Sequence, residues 1–159
     1  MYVKASDTGE EVRVSITKID AKEIALINKS KRFDFNWNKE KANSVYKLTG
    51  EGIQEPLGLI SLIERPDDLA MEIRLIAVSK DNKGKERKYE RIAGCMIAFA
   101  CKEAFTVGYQ GFICLKPKTL ISDHYKEKYN LISTKLFLIS EGKNSLDLIH
   151  KYYQDGKEK

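Results

Sequence analysis

The stretch with the clearest chemical potential runs from Val78 to Phe105, VSKDNKGKERKYERIAGCMIAFACKEAF. An apolar strand ends, a loop dense in charge follows, and an apolar helix begins near Ala93-Gly94. A helix N-terminus presents backbone N–H groups without acceptors and the positive end of the helix dipole. Small residues there let the backbone approach a phosphate closely. Lys85, Arg87 and Lys88 precede it, and Ile92-Ala93-Gly94 open the helix, so an anion site is expected there. The spacing is neither G-x-x-x-x-G-K-[ST] nor G-x-G-x-x-G, which excludes those two phosphate-binding loops. A solvated charged loop capping an ordinary helix is the competing reading.

Charge supports an anionic partner. The 159 residues carry a net +5, and residues 80–91, with six basic and three acidic side chains, hold +3 of it. The three cysteines, Cys95, Cys101 and Cys114, form no C-x-x-C pair, and there are two histidines, so no metal site is expected. Each cysteine is read as a small buried apolar residue. The N-terminus has no apolar signal-like core. No apolar run approaches the ~20 residues of a membrane span. These features predict a reduced, cytoplasmic protein with no membrane partner.

The elements that must position the loop follow from periodicity and turn residues. Strands are expected at 12–16, 44–48, 57–64, 70–79, 112–115 and 135–140, with the third and fourth forming an antiparallel hairpin around Arg65-Pro66-Asp67-Asp68. Helices are expected at 21–28, about 90–107, 117 to about 129, and 145–153. Within the second helix, Ile92, Met96 and Phe99 share a face. The aromatic run Lys31 to Asn38 is irregular. Trp37 and its neighbouring phenylalanines belong either to the core or to a pocket wall, and the core is the better supported reading. The order predicts a layered α/β or α+β fold, one domain over 1–154, and a frayed tail over 155–159.

The charged loop and the strand before it resemble the GNAT superfamily of acetyl-CoA-dependent N-acetyltransferases. In that family a strand feeds a loop of pattern [QR]-x-x-G-x-[GA], which cradles the pyrophosphate of coenzyme A at a helix N-terminus. Met71 to Ser79, MEIRLIAVS, is similar to the family's fourth strand, and the likeness extends over roughly residues 44–140. It implies a mostly antiparallel mixed sheet flanked by helices. Two registers fit the loop. One takes Arg91 to Met96. The other takes Lys88 to Ala93, places Arg91 at the first glycine, and is preferred because it aligns Met96-Ile97 and Ala100 with the family's apolar helix positions. The loop is several residues longer than usual.

The resemblance implies roles for individual residues. Ile76, Val78, Arg87, Lys88, Tyr89, Arg91, Ile92, Ala93 and Gly94 would bind acetyl-CoA, the cosubstrate. The N–H of Ile76 would polarise the acetyl carbonyl. Glu72 falls where histone-type members place a general base, needed because an ammonium cannot attack until it loses a proton. The alternative for Glu72 is an ion pair with Arg74. Alternation would place Glu72, Arg74, Ile76 and Val78 on one face. Asp123 to Ile132, DHYKEKYNLI, resembles the family's "lYeklGF" segment. It implies that Tyr125 protonates the departing thiolate, since a tyrosine of pKa ~10 holds its proton at neutral pH. Asn130-Leu131 replace the usual Gly-Phe, and Lys118 replaces an asparagine common in the family. Tyr129 reads as packing, and His124 as a bystander.

The expected activity is acetyl transfer from acetyl-CoA to a primary amine by direct attack in a ternary complex. Two alternatives stand beside it. One is a nucleic-acid-binding basic module, which the lack of a helix-turn-helix or RRM signature disfavours. The other is a non-catalytic GNAT-like acyl-CoA-binding protein. The acceptor amine is not legible. The short N-terminal part suggests an acceptor site that is open or shared with a second subunit in a homodimer.

Overall fold

The structure is a computed structural model that describes residues 1–116 and 124–154, with side chains other than those of His124 and Tyr125. Helix α1 (Ala21–Ser30) starts at Asp20, whose carboxylate accepts from the Glu23 N–H at 2.9 Å, and stops at Lys31 in the left-handed region. The remaining helices are α2 (Ile92–Thr106), α3 (His124–Lys128) and α4 (Gly142–Tyr152). Among the described residues nine strands form one sheet: β1 (Tyr2–Ala5), β2 (Glu11–Ile19), β3 (Ser44–Gly50), β4 (Gly58–Arg65), β5 (Ala70–Val78), β6 (Tyr89–Glu90), β7 (Ile113–Leu115), β8 (Ile132–Ser133) and β9 (Leu138–Ser140).

Their order across the sheet is β6-β1-β2-β3-β4-β5-β7-β9-β8. Every neighbouring pair is antiparallel except β5–β7. The hairpin expected around Pro66 is β4–β5. A parallel pair cannot close through a tight turn and needs a crossover; α2 supplies it. The layered mixed fold expected from the sequence is therefore present. Three short strands were not foreseen. β1 and β6 pair with each other, tying Tyr89-Glu90 of the charged loop to the N-terminus. β8 pairs with β9 near the other sheet edge. The helix expected from Pro117 is described only from His124. Pro117, Lys118 and the tail 155–159 lie outside the described residues.

The sheet carries a core on each face. α2 covers one face, where Met96, Ile97 and Cys101 meet Ile60, Leu62, Met71, Ile73 and Ile76. α4 packs on α2 so closely that a Cβ on Gly94 would lie 2.2 Å from Tyr152 Cζ. α1 covers the other face, where Ile24, Phe33 and Trp37 meet Val45, Leu59 and Ala77. All three cysteines are buried and free. No helix among the described residues is long and apolar enough to cross a membrane.

Candidate active site

The site forms where β5 loses its parallel neighbour. β7 pairs with β5 only at Met71↔Ile113 and Glu72↔Cys114, with the Met71 N–H donating to Phe112 O at 3.0 Å. Beyond Glu72, no described strand follows β5 on that side. Among the described residues, the backbone beyond Ile73 has no strand partner on that side, which leaves a wedge there.

A bulge decides which groups face the wedge. Leu62 pairs with Ile73 and Ser61 with Leu75, so Arg74 is the extra residue on β5. One extra residue reverses the alternation that follows. The Ser79 N–H donates to Leu57 O at 2.9 Å, toward β4. Stepping back by two, the N–H groups of Ala77 and Leu75 also point to β4, and those of Val78 and Ile76 point into the wedge. The bulge corrects the expectation that four side chains share a face. Glu72 and Arg74 lie on the α1 side with Leu75 and Ala77, whereas Ile76 and Val78 face α2.

The wedge opens into a cavity of about 210 Å³ that reaches the N-terminus of α2. Of the nine residues expected at the cosubstrate, Ile76, Val78, Arg87, Tyr89, Arg91, Ile92 and Ala93 line it. The first helical bond of α2 runs from the Cys95 N–H to Arg91 O. The N–H groups of Ile92, Ala93 and Gly94 therefore have no intrahelical acceptor. Lys88 and Gly94 are not in the lining. Lys88 sits 3.8 Å from Asp81, and its carbonyl accepts from the Ser6 N–H. Gly94 is spent on the α2–α4 contact.

Arg91 has φ 82°, a left-handed conformation that favours glycine. Its side chain is committed within the protein. Nε donates to Tyr2 O at 3.1 Å and Nη2 to Lys151 O at 3.2 Å, and the guanidinium stacks 4.0 Å from the Tyr2 ring centroid and 4.8 Å from that of Tyr152.

The loop is held by Asn82, which pattern reading passed over. Asn82 is buried; its Nδ2 donates to Ser79 Oγ at 2.7 Å, and its Oδ1 accepts from the Tyr89 N–H at 3.0 Å. Two further residues of the cavity wall, Lys83 and Lys128, were also missed. Lys83 pairs with Asp34, and this bond holds the Asp34 carboxyl below the usual range. Burial first, and then the charges of Arg87 and Lys151, hold the Lys128 ammonium below the usual lysine range. A signal was available in the basic spacing of Lys126 and Lys128, but not the fold that sets α3 across from the loop.

Glu72 is 5% exposed and accepts from Arg65 Nη1 at 3.2 Å. Its ion-pair partner is therefore Arg65, not Arg74; Arg74 lies 3.8 Å from Glu40 instead. Arg65 also pairs with Asp68, which leaves Glu72 on a shared, half-exposed guanidinium. Tyr125 lies in α3, and its side chain lies outside the described residues. Tyr129, four residues on, is buried in the cavity wall with its ring 6.3 Å from that of Tyr152. Asn130 adopts φ 54° where the family has glycine, a conformation that asparagine tolerates.

No family model matches the sequence, and no curated protein matches it. Solved structures do resemble the fold. Mutant forms of the spermidine/spermine N-acetyltransferase SpeG from Vibrio cholerae superpose with a TM-score of 0.61 at 12% identity, covering 85% of this chain and 98% of that one. The fold is that of the GNAT acetyltransferases. PaiA N-acetyltransferase from Thermoplasma acidophilum, in complex with coenzyme A, gives 0.55 at 11% identity over 80% of this chain and 96% of that one. The diaminobutyrate acetyltransferase EctA from Paenibacillus lautus, with its substrate and coenzyme A, gives 0.51 at 17% identity over 77% and 80%.

Proposed function

We propose that this protein is an acetyl-CoA-dependent N-acetyltransferase that acts on a primary amine by direct attack in a ternary complex. The observation that carries the reading is the wedge beside β5, unpaired beyond Ile73 among the described residues and ending at the N-terminus of α2. An extended pantetheine arm pairs with strand backbone, and a diphosphate suits a helix N-terminus. The wedge offers both in line. The Val78 N–H would hold the arm. The N–H groups of Ile92 and Ala93, with Arg87 and Lys128, would hold the diphosphate. The Lys128 ammonium, disfavoured by burial and then by the charge of Arg87, would gain from an anion beside it. The neighbours SpeG, PaiA and EctA, all acetyltransferases, support the same reading.

The chemistry follows from the groups at the closed end of the wedge. The Ile76 N–H donates to the thioester carbonyl as negative charge develops there. Glu72, on the α1 side, takes a proton from the ammonium directly or through water, and the neutral amine then attacks. Tyr125 returns a proton to the departing thiolate. Release of free thiol from acetyl-CoA in the presence of a panel of primary amines tests the activity. Amine-dependent release supports the reading, and a rate equal to the amine-free rate across the panel counts against it.

A further inference from the structure

Phe33, Phe35 and Trp37 alternate along one irregular segment, and in extended chain all three rings would face one way. Phe33 and Trp37 are buried beneath α1, but Phe35 is 42% exposed. Its backbone is left-handed at φ 75°, an outlier for a bulky side chain. The surroundings hold the turn. Trp37 Nε1 donates to Asp34 O at 2.8 Å, and the Trp37 N–H donates to Asn28 Oδ1 at 2.7 Å. The segment is also tied to the chain that follows β5. The Lys80 N–H donates to Arg32 O at 2.8 Å, and Lys83 pairs with Asp34. These bonds set Phe35 in the cavity wall at the Val78 end of β5, with Asp34 and Lys83 in the same wall. Strain kept by over-determined surroundings at a cavity wall points to a ligand contact.

That cavity is the one assigned above to acetyl-CoA, and the inference rests on that reading. The polar groups of the cavity do not tell this ligand from other nucleotides. The N–H groups of Ile92 and Ala93, with Arg87 and Lys128, would hold any diphosphate. What distinguishes coenzyme A is its pantetheine arm, which begins beside the diphosphate with a carbon that bears two methyl groups. A ligand held by the α2 N-terminus and by the Val78 N–H carries that apolar unit between the two, at the end of the cavity that Phe35 lines. We infer that Phe35 is a specificity-determining residue, whose ring packs on the apolar start of the arm and makes the cavity select coenzyme A over nucleotides that lack the arm. The contact removes ring and methyl surface from water together. It accounts for an exposed ring held on a strained backbone.

The test is calorimetric titration of coenzyme A and of phosphoadenosine diphosphate, which is coenzyme A without its pantetheine arm. Wild type is expected to prefer coenzyme A. Phe35→Ala is expected to lose about tenfold in coenzyme A affinity, the scale of one apolar contact, with the affinity for phosphoadenosine diphosphate unchanged. Phe35→Leu is expected to retain part of the preference. Phe35→Gly removes the ring and suits the left-handed backbone. It is expected to unfold at higher urea than Phe35→Ala and to show the same loss of preference, which separates the contact from any damage to the fold. An unchanged ratio of the two affinities in Phe35→Ala and Phe35→Gly would overturn the inference. So would an equal loss for both ligands, which would assign the ring to the nucleotide or to the fold, and so would equal affinities in wild type. Absence of coenzyme A binding in wild type would be the failure of the acetyl-transfer reading itself, and the inference would fall with it.

Discussion

Glu72 and Ile76, four residues apart on one strand, project to opposite faces of the sheet because Arg74 is bulged between them. Without the bulge, the Ile76 N–H would point to β4 and be consumed in the ladder. With it, a backbone donor faces the wedge and a carboxylate stands on the α1 side. Glu72→Gln keeps the shape and removes the base. It is expected to lower kcat about 100-fold, the scale of general-base catalysis, while leaving the Kd for acetyl-CoA unchanged. Steady-state kinetics alongside a binding titration separates the two.

Lys128 offers a contrast between stability and binding. Its ammonium is disfavoured in the folded protein by burial and by Arg87 and Lys151. A lysine with a depressed folded pKa carries a penalty while charged, and the penalty is relieved as pH rises through that pKa. Lys128→Met removes the penalty at neutral pH. The variant is expected to unfold at higher urea than wild type, yet bind acetyl-CoA about tenfold more weakly through loss of a charge-assisted contact. Chemical denaturation and calorimetry on the same preparation check both signs.

Arg91 pins β1 and α4 around the mouth of α2, so its replacement acts on stability. Arg91→Ala loses two charged hydrogen bonds and two ring contacts and keeps the left-handed backbone. It is expected to cost about 2–4 kcal/mol. Arg91→Gly loses the same contacts but sheds the left-handed penalty of roughly 1 kcal/mol, and is expected to be the more stable of the two. Urea unfolding midpoints decide the order.

Much of this was legible in sequence because it is local. The β4–β5 hairpin, α2 and the charged loop follow from periodicity, turn residues and charge. The rest depends on partners distant in the chain. The bulge at Arg74 exists only against β4, so strict alternation put Ile76 on the wrong face. Arg91 reads as a phosphate ligand until Tyr2 and Tyr152 close on it. Gly94 reads as a phosphate-loop glycine until α4 places Tyr152 against it. Lys128 joins the site only because α3 returns across the loop.

The three thiols should be silent in the native protein. Burial pushes Cys95, Cys101 and Cys114 each up to about 11. At pH 8 the thiolate fraction of each is about one in a thousand, and only the thiolate reacts. A disulfide reagent is expected to label none of the three within minutes in buffer and all three in denaturant. Rapid native labelling of any one would show that its core opens.

The chemistry at the departing sulfur separates two tyrosines. Tyr125→Phe is expected to lower kcat about 100-fold by removing the proton donor. Tyr129→Phe keeps the ring packed on Tyr152 and is expected to change kcat by no more than about twofold. The reverse pattern in kcat would transfer the role to the buried tyrosine of the cavity wall.

The most direct test of the whole account is calorimetric titration of the purified protein with acetyl-CoA, with ATP and a short duplex DNA as controls. The wedge, the open N–H groups of α2 and the Arg87–Lys128 pair predict saturable binding of one acetyl-CoA per chain in the micromolar range, with little heat from either control. No binding of acetyl-CoA, or equal binding of all three polyanions, would contradict the account and leave a basic loop with no specific cradle.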